Sequence, residues 1–220
     1  MPTESKKIPH WVRSLALIRD LHPVAVDGYS MVLTGSGLTG PELLRWWPTP
    51  GEVGALADQL AALPSAPGTR LTLLGQPDAF LAKELARQGW APTETRTLLA
   101  ARTEDVAQVA KLPETATLFE APLDDYDVVE ITDFDHSVAR ARIVFGEGHA
   151  LLSEPQVSDR VDPSTYVDAA LANLAAAAAR HGYGLLFMVV PTKADTGRAI
   201  LRPEGWSQAT PLLTLTLGGA

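Results

Sequence analysis

The chain repeats one pattern of strands, turns and helices at two places about half a chain apart. The first copy spans residues 71–99 (LTLLGQPDAFLAKELARQGWAPTETRTLL) and the second spans residues 185–217 (LLFMVVPTKADTGRAILRPEGWSQATPLLTLTL). Each copy is an apolar run, a turn marked by Gly or Pro, a helical stretch that ends in Gly-Trp, and a Thr/Leu-rich run. This repetition predicts two related halves, each built around a strand–helix–strand unit.

The amino-acid composition limits the kinds of partner that the protein can bind. The net charge of the 220 residues is −8 with a pI of about 5.1, and such a surface repels phosphate backbones, which argues against nucleic-acid binding. The absence of cysteine excludes disulfides, thiolate metal sites and a Cys nucleophile. The N-terminal residues lack a signal-like apolar region, and every apolar run is short for a membrane span. We therefore expect a cytoplasmic protein without a membrane partner.

Periodicity and turn residues predict the elements of the first half. Apolar residues at helical spacing, or short β-rich runs, lie between Gly and Pro breakers. In chain order they predict helix 11–21, strand 29–34, helix 41–47, helix 51–63, strand 70–74, helix 78–88 and strand 94–101.

The second half differs from the first because it begins with a long β-rich region. A short helix over 103–112 is predicted first, and β-rich runs then fill residues 116–158, with a hairpin turn at 146–148. The remaining elements are predicted as helix 163–181 capped by Asp162, strand 185–190, helix 194–204 and strand 210–217. We place the domain boundary between 1–102 and 103–220.

The order β-β-β-β-α-β-α-β over residues 116–217, with the Gly-Trp pairs, resembles the GNAT N-acetyltransferase fold. The whole chain resembles GNAT proteins in which a shortened N-terminal half precedes a fuller C-terminal domain. The resemblance implies an α/β (α+β) fold with a mixed, mostly antiparallel central sheet flanked by helices and a degenerate N-terminal half. It also implies an N-acyltransferase that transfers the acetyl group of acetyl-CoA to a small amine or peptide amine without a covalent intermediate.

Three features of the GNAT family can be placed on this sequence. The family's splayed strand, whose backbone holds the pantetheine arm, would lie at residues 155–158. The family's glycine-rich pyrophosphate loop would fall at the start of helix 163–181, where Asp162 replaces a cation and no glycine is present. The family's catalytic Tyr would fall near Leu201, which cannot transfer a proton. The resemblance thus gives these candidate cofactor-binding residues: Gln156, Val157, Ser158, Ser164, Thr165 and Val167.

Two side chains are candidates for catalysis. Glu154 lies on the predicted splayed strand and would act as a general base, unless it is a solvated strand residue. Tyr166 would act as a relocated acid, unless it is a packing residue at a helix start. Because the loop glycines and the family Tyr are absent, the runner-up hypothesis is a catalytically inactive GNAT-fold protein that binds or regulates, with weak or absent acetyl-CoA binding.

Four further signals allow other interpretations. Residues 35–40 read G-x-G-x-x-G, a nucleotide-binding pattern, but a loop is favoured because the predicted helix behind it is broken by Pro48. Asp clusters at 124–127 and 133–136 favour strand-connecting turns over a metal site. Trp46 and Trp47 pack in the core or wall a pocket between the halves. The C-terminal strand is either an edge for a homodimer or a strand covered internally.

Overall fold

The computed structural model describes residues 6–63, 68–158, 161–192 and 204–218. The chain forms two compact units that interleave along the sequence. Unit 1 takes its residues from 1–97, 191–198 and 210–220. Unit 2 takes its residues from 98–190 and 199–209. The predicted boundary between residues 102 and 103 separates the two repeated halves of the sequence. The compact units are defined by spatial contact and do not test this boundary, so it stays a prediction.

Short strands and four helices make up the described part of the chain. The first half contains α1 (Trp11–Ile18), β1 (His22–Ala25), β2 (Ser30–Thr34), β3 (Glu42–Trp46), a 3₁₀ turn (Pro50–Glu52), α2 (Val53–Ala62), β4 (Arg70–Leu74), α3 (Ala79–Arg87) and β5 (Trp90–Arg102). The second half contains a 3₁₀ turn (Thr103–Asp105), β6 (Ala116–Pro122), β7 (Asp127–Asp133), β8 (His136–Phe145), β9 (Ala150–Leu152), β10 (Gln156–Val157), α4 (Pro163–Arg180), β11 (Leu185–Pro191) and β12 (Ser207–Leu217).

The strands of each unit pair in a defined order. In unit 1 the order is β1-β2-β3-β4-β12-β5, with β3 and β4 parallel and the pairs β1/β2, β2/β3 and β4/β12 antiparallel. In unit 2 the order is β5-β11-β9-β8-β7-β6, with only β9/β11 parallel among the registers known, while β10 pairs β8. The predicted mixed, mostly antiparallel sheet flanked by helices is confirmed.

A strand–helix–strand unit with parallel strands occurs once in each unit. In unit 1 it is β3-α2-β4, and in unit 2 it is β9-β10-α4-β11. Unit 1 also has its own leucine-rich core under α2 and α3. The early part of the chain, together with Leu215, therefore builds a second core.

Alanines on α4 let the helix lie close to the sheet of unit 2. Its buried face includes Ala169, Ala170, Ala175 and Ala178, all at most 1% exposed. The helix packs on β7 and β8, whose inward residues alternate with polar residues such as Arg140. This close packing fixes the N-terminus of α4 beside β10, which it also contacts.

Unit 1 buries a polar cluster that is satisfied internally. Glu42 is 2% exposed and accepts hydrogen bonds from Arg19, at 2.9 Å, and from the Thr72 hydroxyl, at 2.7 Å. The Thr72 hydroxyl also lies 2.8 Å from the hydroxyl of Thr214 on β12. Because a buried carboxylate needs donors, this cluster ties β3, β4 and β12 together.

The predicted helix over residues 41–47 is wrong, because these residues form strand β3. Four apolar or aromatic residues between Pro41 and Pro48 fit either a buried strand or a helical turn. The pairing of β3 with β2 on one side and β4 on the other decides for the strand, and it supplies hydrogen bonds on both edges. The same register makes Leu43 and Leu44 fully buried.

The predicted helix over residues 103–112 is also wrong, because only the 3₁₀ turn Thr103–Asp105 forms. The Thr103 hydroxyl, expected to cap a helix, donates instead to the carbonyl of Tyr183 at 2.6 Å. Because the Thr103 hydroxyl makes this long-range hydrogen bond, it does not cap a helix. The predicted helix over 194–204 falls almost wholly on residues 193–203, which lie outside the described residues. Among the described helices, none has both the length and the apolar character to cross a membrane.

Candidate functional site

The strand that leads into α4 contains a β-bulge. Leu152 pairs with Ile143 of β8, and Gln156 pairs with Arg140. The strand thus advances four residues while β8 advances three. One extra residue between β9 and β10 bends the strand, and bulges of this kind are over-represented beside active sites. The Ser153 hydroxyl stabilises the bend by accepting a hydrogen bond from the Arg142 N–H at 2.9 Å.

Beyond the bulge, the strand parts from its parallel neighbour. Pairing of β11 with β9 runs from Leu186 opposite Ala150 to Met188 opposite Leu152. No strand pair joins β10 to β11 among the residues that the structure describes. The Ser158 N–H donates to the Val138 carbonyl of β8 at 2.8 Å.

This hydrogen bond fixes the direction of the neighbouring peptide groups. Successive residues of a strand point their backbone N–H and carbonyl groups to opposite edges. Because the Ser158 N–H faces β8, the N–H and carbonyl groups of Val157 face away from β8. The opening therefore presents a free backbone edge.

The predicted cofactor residues follow the opening and the start of α4. Gln156 is exposed, and Val157 and Ser158 are half-buried at the end of β10. At the helix start, Ser164 is exposed, while Thr165 is half-buried. Val167 is half-buried in the next turn and packs on the core of unit 2. Contact between α4 and β10 brings the strand group and the helix group into one region of unit 2.

An acidic residue caps α4. The Asp162 carboxylate accepts hydrogen bonds from the Ser164 N–H at 3.3 Å and from the Ser164 hydroxyl at 2.9 Å. The predicted cap is therefore confirmed, with Pro163 at the first helical position. A negative cap competes with any bound phosphate for the same N–H groups, so this helix start is a weak anion site.

Tyr166 is buried and its hydroxyl is engaged. The side chain is 5% exposed, and the hydroxyl donates to the Asp133 carboxylate at 2.6 Å. This hydrogen bond, helped by burial, raises the pKa of Tyr166 above its ordinary value. The Thr115 hydroxyl, followed by the Tyr166 hydroxyl, lowers the pKa of Asp133. Tyr166 therefore holds its proton more tightly than a free tyrosine, which favours the packing role over that of an acid.

Glu154 occupies the bulge itself. It is half-buried and makes no hydrogen bond or ion pair with any residue in the described ranges. A carboxylate without a partner among the described residues, beside an opening in the sheet, can act on a ligand bound there. Its role as a base stays a prediction.

The other signals of the sequence resolve into local structure. Residues 35–40 connect the antiparallel strands β2 and β3, so no helix follows the G-x-G-x-x-G pattern as a nucleotide site requires. The acidic clusters form the β6–β7 and β7–β8 turns, as predicted. Within the described part of the chain, no cluster of three His, Asp or Glu side chains is placed to hold a metal ion.

Comparisons with known proteins give structural but not sequence relatives. No family model matches the chain, and no curated protein matches it. A GCN5-related N-acetyltransferase from Kribbella flavida has a similar structure, with a TM-score of 0.66 and 17% identity over 94% of this chain and 93% of that one. A putative GNAT-family acetyltransferase from Novosphingobium aromaticivorans aligns with a TM-score of 0.56 and 14% identity over 96% and 97% of the two chains.

A tandem GNAT protein from the clavulanic acid biosynthesis pathway also aligns, with a TM-score of 0.55 and 10% identity over 87% of this chain and 79% of that one. The chain has the GNAT fold. At these identities the likeness extends to the fold alone, so the site must be argued from the chain's own residues.

Within the GNAT fold, the two units differ at the end of their parallel strand pairs. In unit 2 the pair opens after Leu152, as described above. In unit 1 the pair stays closed, because β3 and β4 remain in register to Trp46 opposite Leu74, and the Trp47 N–H then donates to the Leu74 carbonyl at 3.1 Å. The free backbone edge is therefore found at the pair of unit 2 and not at the pair of unit 1.

Unit 1 instead has a cavity at this position, which the sequence indicated only in part. The volume is about 240 Å³, and both Trp46 and Trp47 line it. Every lining residue belongs to unit 1, among them Lys6, Tyr29 and Arg45. The adjacent tryptophans were the sequence signal, but the contribution of the N-terminal Lys6 depends on long-range contacts.

Proposed function

We propose that this chain is an N-acyltransferase that transfers the acetyl group of acetyl-CoA to a small amine or a peptide amine. The supporting observation is the opening between β10 and β11 beyond the bulge. A free backbone edge at this point would pair with the amide groups of the pantetheine arm. Such pairing needs no particular side chain, so it survives the loss of the family's glycines.

The candidate residues would share the work of binding. The Val157 peptide groups would hydrogen-bond the pantetheine arm, with Gln156 and Ser158 beside it. Ser164, Thr165 and Val167 would line the path toward the phosphates at the start of α4. Asp162 opposes phosphate binding there, so we expect acetyl-CoA to bind more weakly than low micromolar.

Positioning would drive the chemistry. The amine nitrogen attacks the thioester carbonyl carbon, the C–S bond breaks, and the CoA thiolate leaves and takes up a proton. Glu154 would accept the proton that the amine loses, since it lies at the bulge and lacks a partner among the described residues. Holding both reactants in line supplies most of the acceleration in such a reaction. We therefore expect Glu154→Gln to lower the rate more than Tyr166→Phe.

A proline substitution tests the backbone contact. Val157→Pro removes one N–H that faces away from β8, while Val157→Ala keeps it and serves as the matched control. Acetyl-CoA affinity, measured by calorimetry, should fall about tenfold in the proline variant, because a lost hydrogen bond is worth roughly one order of magnitude. The alanine variant should bind like the parent chain. Equal affinities of the two variants would remove the backbone contact from the proposal.

The alternative is a GNAT-fold protein that binds or regulates without catalysis. Two observations favour it: the carboxylate of Asp162 at the helix start, and the engagement of Tyr166 with Asp133. The two hypotheses differ in the release of free CoA thiol from acetyl-CoA in the presence of an amine panel. Binding without thiol release for any amine would support the alternative, and amine-dependent release would exclude it.

The setting of the reaction is also part of the proposal. Absence of cysteine fits a reducing cytoplasm. The acidic charge fits a small-molecule or peptide amine better than nucleic acid. A homodimer through the C-terminal strand is disfavoured, because β12 lies between β4 and β5 and is not an edge. A dimer would have to use another surface.

A further inference from the structure

The cavity of unit 1 lies at the carboxyl ends of the parallel strands β3 and β4. Ligands of open α/β sheets are commonly bound at this end of the strands. The closed strand pair described above offers no backbone edge for a pantetheine arm. A volume of about 240 Å³ is too small for acetyl-CoA. At roughly 30 Å³ for each water-sized group, it suits a molecule of about eight non-hydrogen atoms.

Two of the residues that line this cavity carry a hydrogen-bond donor without a described partner. The Trp47 indole N–H is buried and has no hydrogen-bond partner in the described part of the chain. The Lys6 ammonium lies 5.1 Å from the centroid of the Trp46 ring and forms no ion pair with a described carboxylate. An unpartnered buried donor is uncommon and calls for an explanation, and at Trp47 the adjoining cavity offers room for an acceptor.

The one carboxylate that lines the cavity is already engaged. Glu52 accepts hydrogen bonds at 2.8 Å from the N–H and the hydroxyl of Thr49, and its other oxygen lies 3.8 Å from Arg45. Burial lowers the pKa of Arg45, although Glu52 and Asp27 act in the opposite direction. Arg45 also donates to the side-chain oxygen of Gln59 at 2.9 Å and to the Trp46 carbonyl at 3.3 Å. Arg45 is therefore already engaged, and an anion in the cavity would find its donors at Lys6 and Trp47.

Aromatic walls give the cavity an apolar part. Tyr29, Trp46 and Trp47 line it together with Leu74. Trp46 is held in place because its indole N–H donates to the Lys7 carbonyl at 3.0 Å, which also fixes the chain beside Lys6. Such walls would cover the body of a flat or branched ligand, while Lys6 and Trp47 bind its polar end.

We propose that unit 1 binds a small organic monocarboxylate in this cavity, with its carboxylate at Lys6 and the Trp47 indole N–H and its apolar body against the aromatic walls. The site is separate from the proposed acetyl-CoA site and does not depend on it.

Benzoate, phenylacetate and hexanoate are suitable probes, and benzamide and benzylamine are the neutral and cationic counterparts of benzoate. Binding is followed by the indole N–H signals of the ¹⁵N-labelled chain, which report on Trp47 directly. We expect at least one carboxylate to shift the Trp47 signal at concentrations up to about 10 mM, with benzamide and benzylamine at least about tenfold weaker than benzoate. No shift with any of the three carboxylates would overturn the proposal, and so would equal affinity for benzoate and benzamide.

Two variants with matched controls locate the contacts. Lys6→Met removes the charge and keeps the aliphatic stem, while Lys7→Met removes a charge that does not line the cavity. Trp47→Phe removes the indole donor, while Trp206→Phe removes another buried indole N–H without a described partner, in unit 2.

The affinity of the best-binding carboxylate should fall about tenfold in Lys6→Met and in Trp47→Phe, as for a lost hydrogen bond to a charged group. It should be unchanged in both controls. Unchanged affinity in Lys6→Met and Trp47→Phe would refute the assignment, and so would displacement of the carboxylate by acetyl-CoA. Failure of acetyl-CoA to bind at all would leave this result unaffected, so the two proposals can fail separately.

Discussion

At the scale of single residues, the Tyr166 hydroxyl shows how a long-range partner sets the chemistry of a side chain. Its bond to Asp133 spans 33 residues of sequence, from the end of β7 to the first turn of α4. Because the hydroxyl donates to this carboxylate, Tyr166 joins these two elements, and its role as an acid stays a prediction. A helix-start tyrosine in the sequence does not reveal this, since its partner comes from a distant turn.

The pair makes stability depend on pH in a defined direction. The pKa of Asp133 is lower in the folded chain than its ordinary value. Its carboxylate therefore adds stability above the unfolded pKa, near 3.9, and this contribution is lost as the pH falls through the lower folded value.

Removing the Tyr166 hydroxyl should weaken this pH dependence. Tyr166→Phe should be less stable than the parent chain near neutral pH, and the difference should shrink below about pH 4. The measurement is urea unfolding across pH. Tyr183→Phe is the control, since that ring packs against Phe145. A difference between parent and Tyr166→Phe that stays constant from pH 3 to pH 7 would contradict the assignment.

The two glycines of the repeated Gly-Trp pairs are not equivalent. Both have positive φ, 88° at Gly89 and 85° at Gly205. A Cβ at Gly89 would meet nothing closer than 3.9 Å, whereas a Cβ at Gly205 would collide with the backbone carbonyl of Asp105. Gly89→Ala should therefore lower the free energy of unfolding by about 1–2 kcal/mol, the left-handed cost for an L-residue.

Gly205→Ala should be clearly more destabilising than Gly89→Ala, because the Asp105 backbone must also move. Urea unfolding of the two variants side by side gives the comparison. Equal losses of stability would mean that the close approach of Asp105 is relieved at little cost.

At the scale of elements, the start of α4 combines a helix cap with a charge that opposes phosphate. The two effects are separable, because Asn caps helices as well as Asp does but carries no charge. Asp162→Asn should leave the free energy of unfolding nearly unchanged and tighten acetyl-CoA binding about two- to fivefold. Asp162→Ala should also remove the charge but lower the free energy of unfolding by about 1 kcal/mol.

Thermal unfolding and calorimetry with acetyl-CoA measure the two effects. Weaker acetyl-CoA binding in Asp162→Asn would show that the carboxylate does not oppose the phosphates. It would place the pyrophosphate away from this helix start.

The elements that are determined by nearby residues were predicted correctly from the sequence. Strand 70–74 was predicted at the bounds of β4, and α4 begins after the predicted cap at Asp162. The hairpin turn at 146–148 joins β8 to β9, as its glycines indicated. In each case the turn or cap residue and the apolar period agree.

Two features that depend on distant partners, strand β3 and the bulge before β10, were not predicted. Strand β3 was predicted as a helix, since only its pairing with β2 and β4 distinguishes a short apolar run as a strand. The bulge before β10 is invisible in the sequence, because an extra residue exists only relative to the register of β8. The family resemblance placed a splayed strand at 155–158, and the adjacent tryptophans allowed a pocket between the halves. The bulge at the opening and the location of the cavity within unit 1 could not be predicted from the sequence.

At the scale of the whole molecule, each compact unit takes residues from both repeated halves. β12 comes from the second half, yet it pairs with β4 in unit 1 from Leu212 opposite Leu74 to Thr216 opposite Arg70. The C-terminal residues of β5 belong to unit 2. We therefore expect that a half cut from the sequence at its repeat boundary is not a complete folding unit.

A fragment of residues 1–102 should accordingly fail to fold by itself, because β4 would lose β12 and the buried side chains of Leu212 and Leu215. We expect no cooperative thermal transition for the fragment. A separate peptide of residues 204–220 should restore a transition whose midpoint rises with peptide concentration, since the peptide binds only the folded state. The same peptide with Leu212→Asp and Leu215→Asp is the control and should have no effect. If the fragment alone unfolds cooperatively and its midpoint ignores the peptide, β12 is dispensable and the boundary at residue 102 separates autonomous domains.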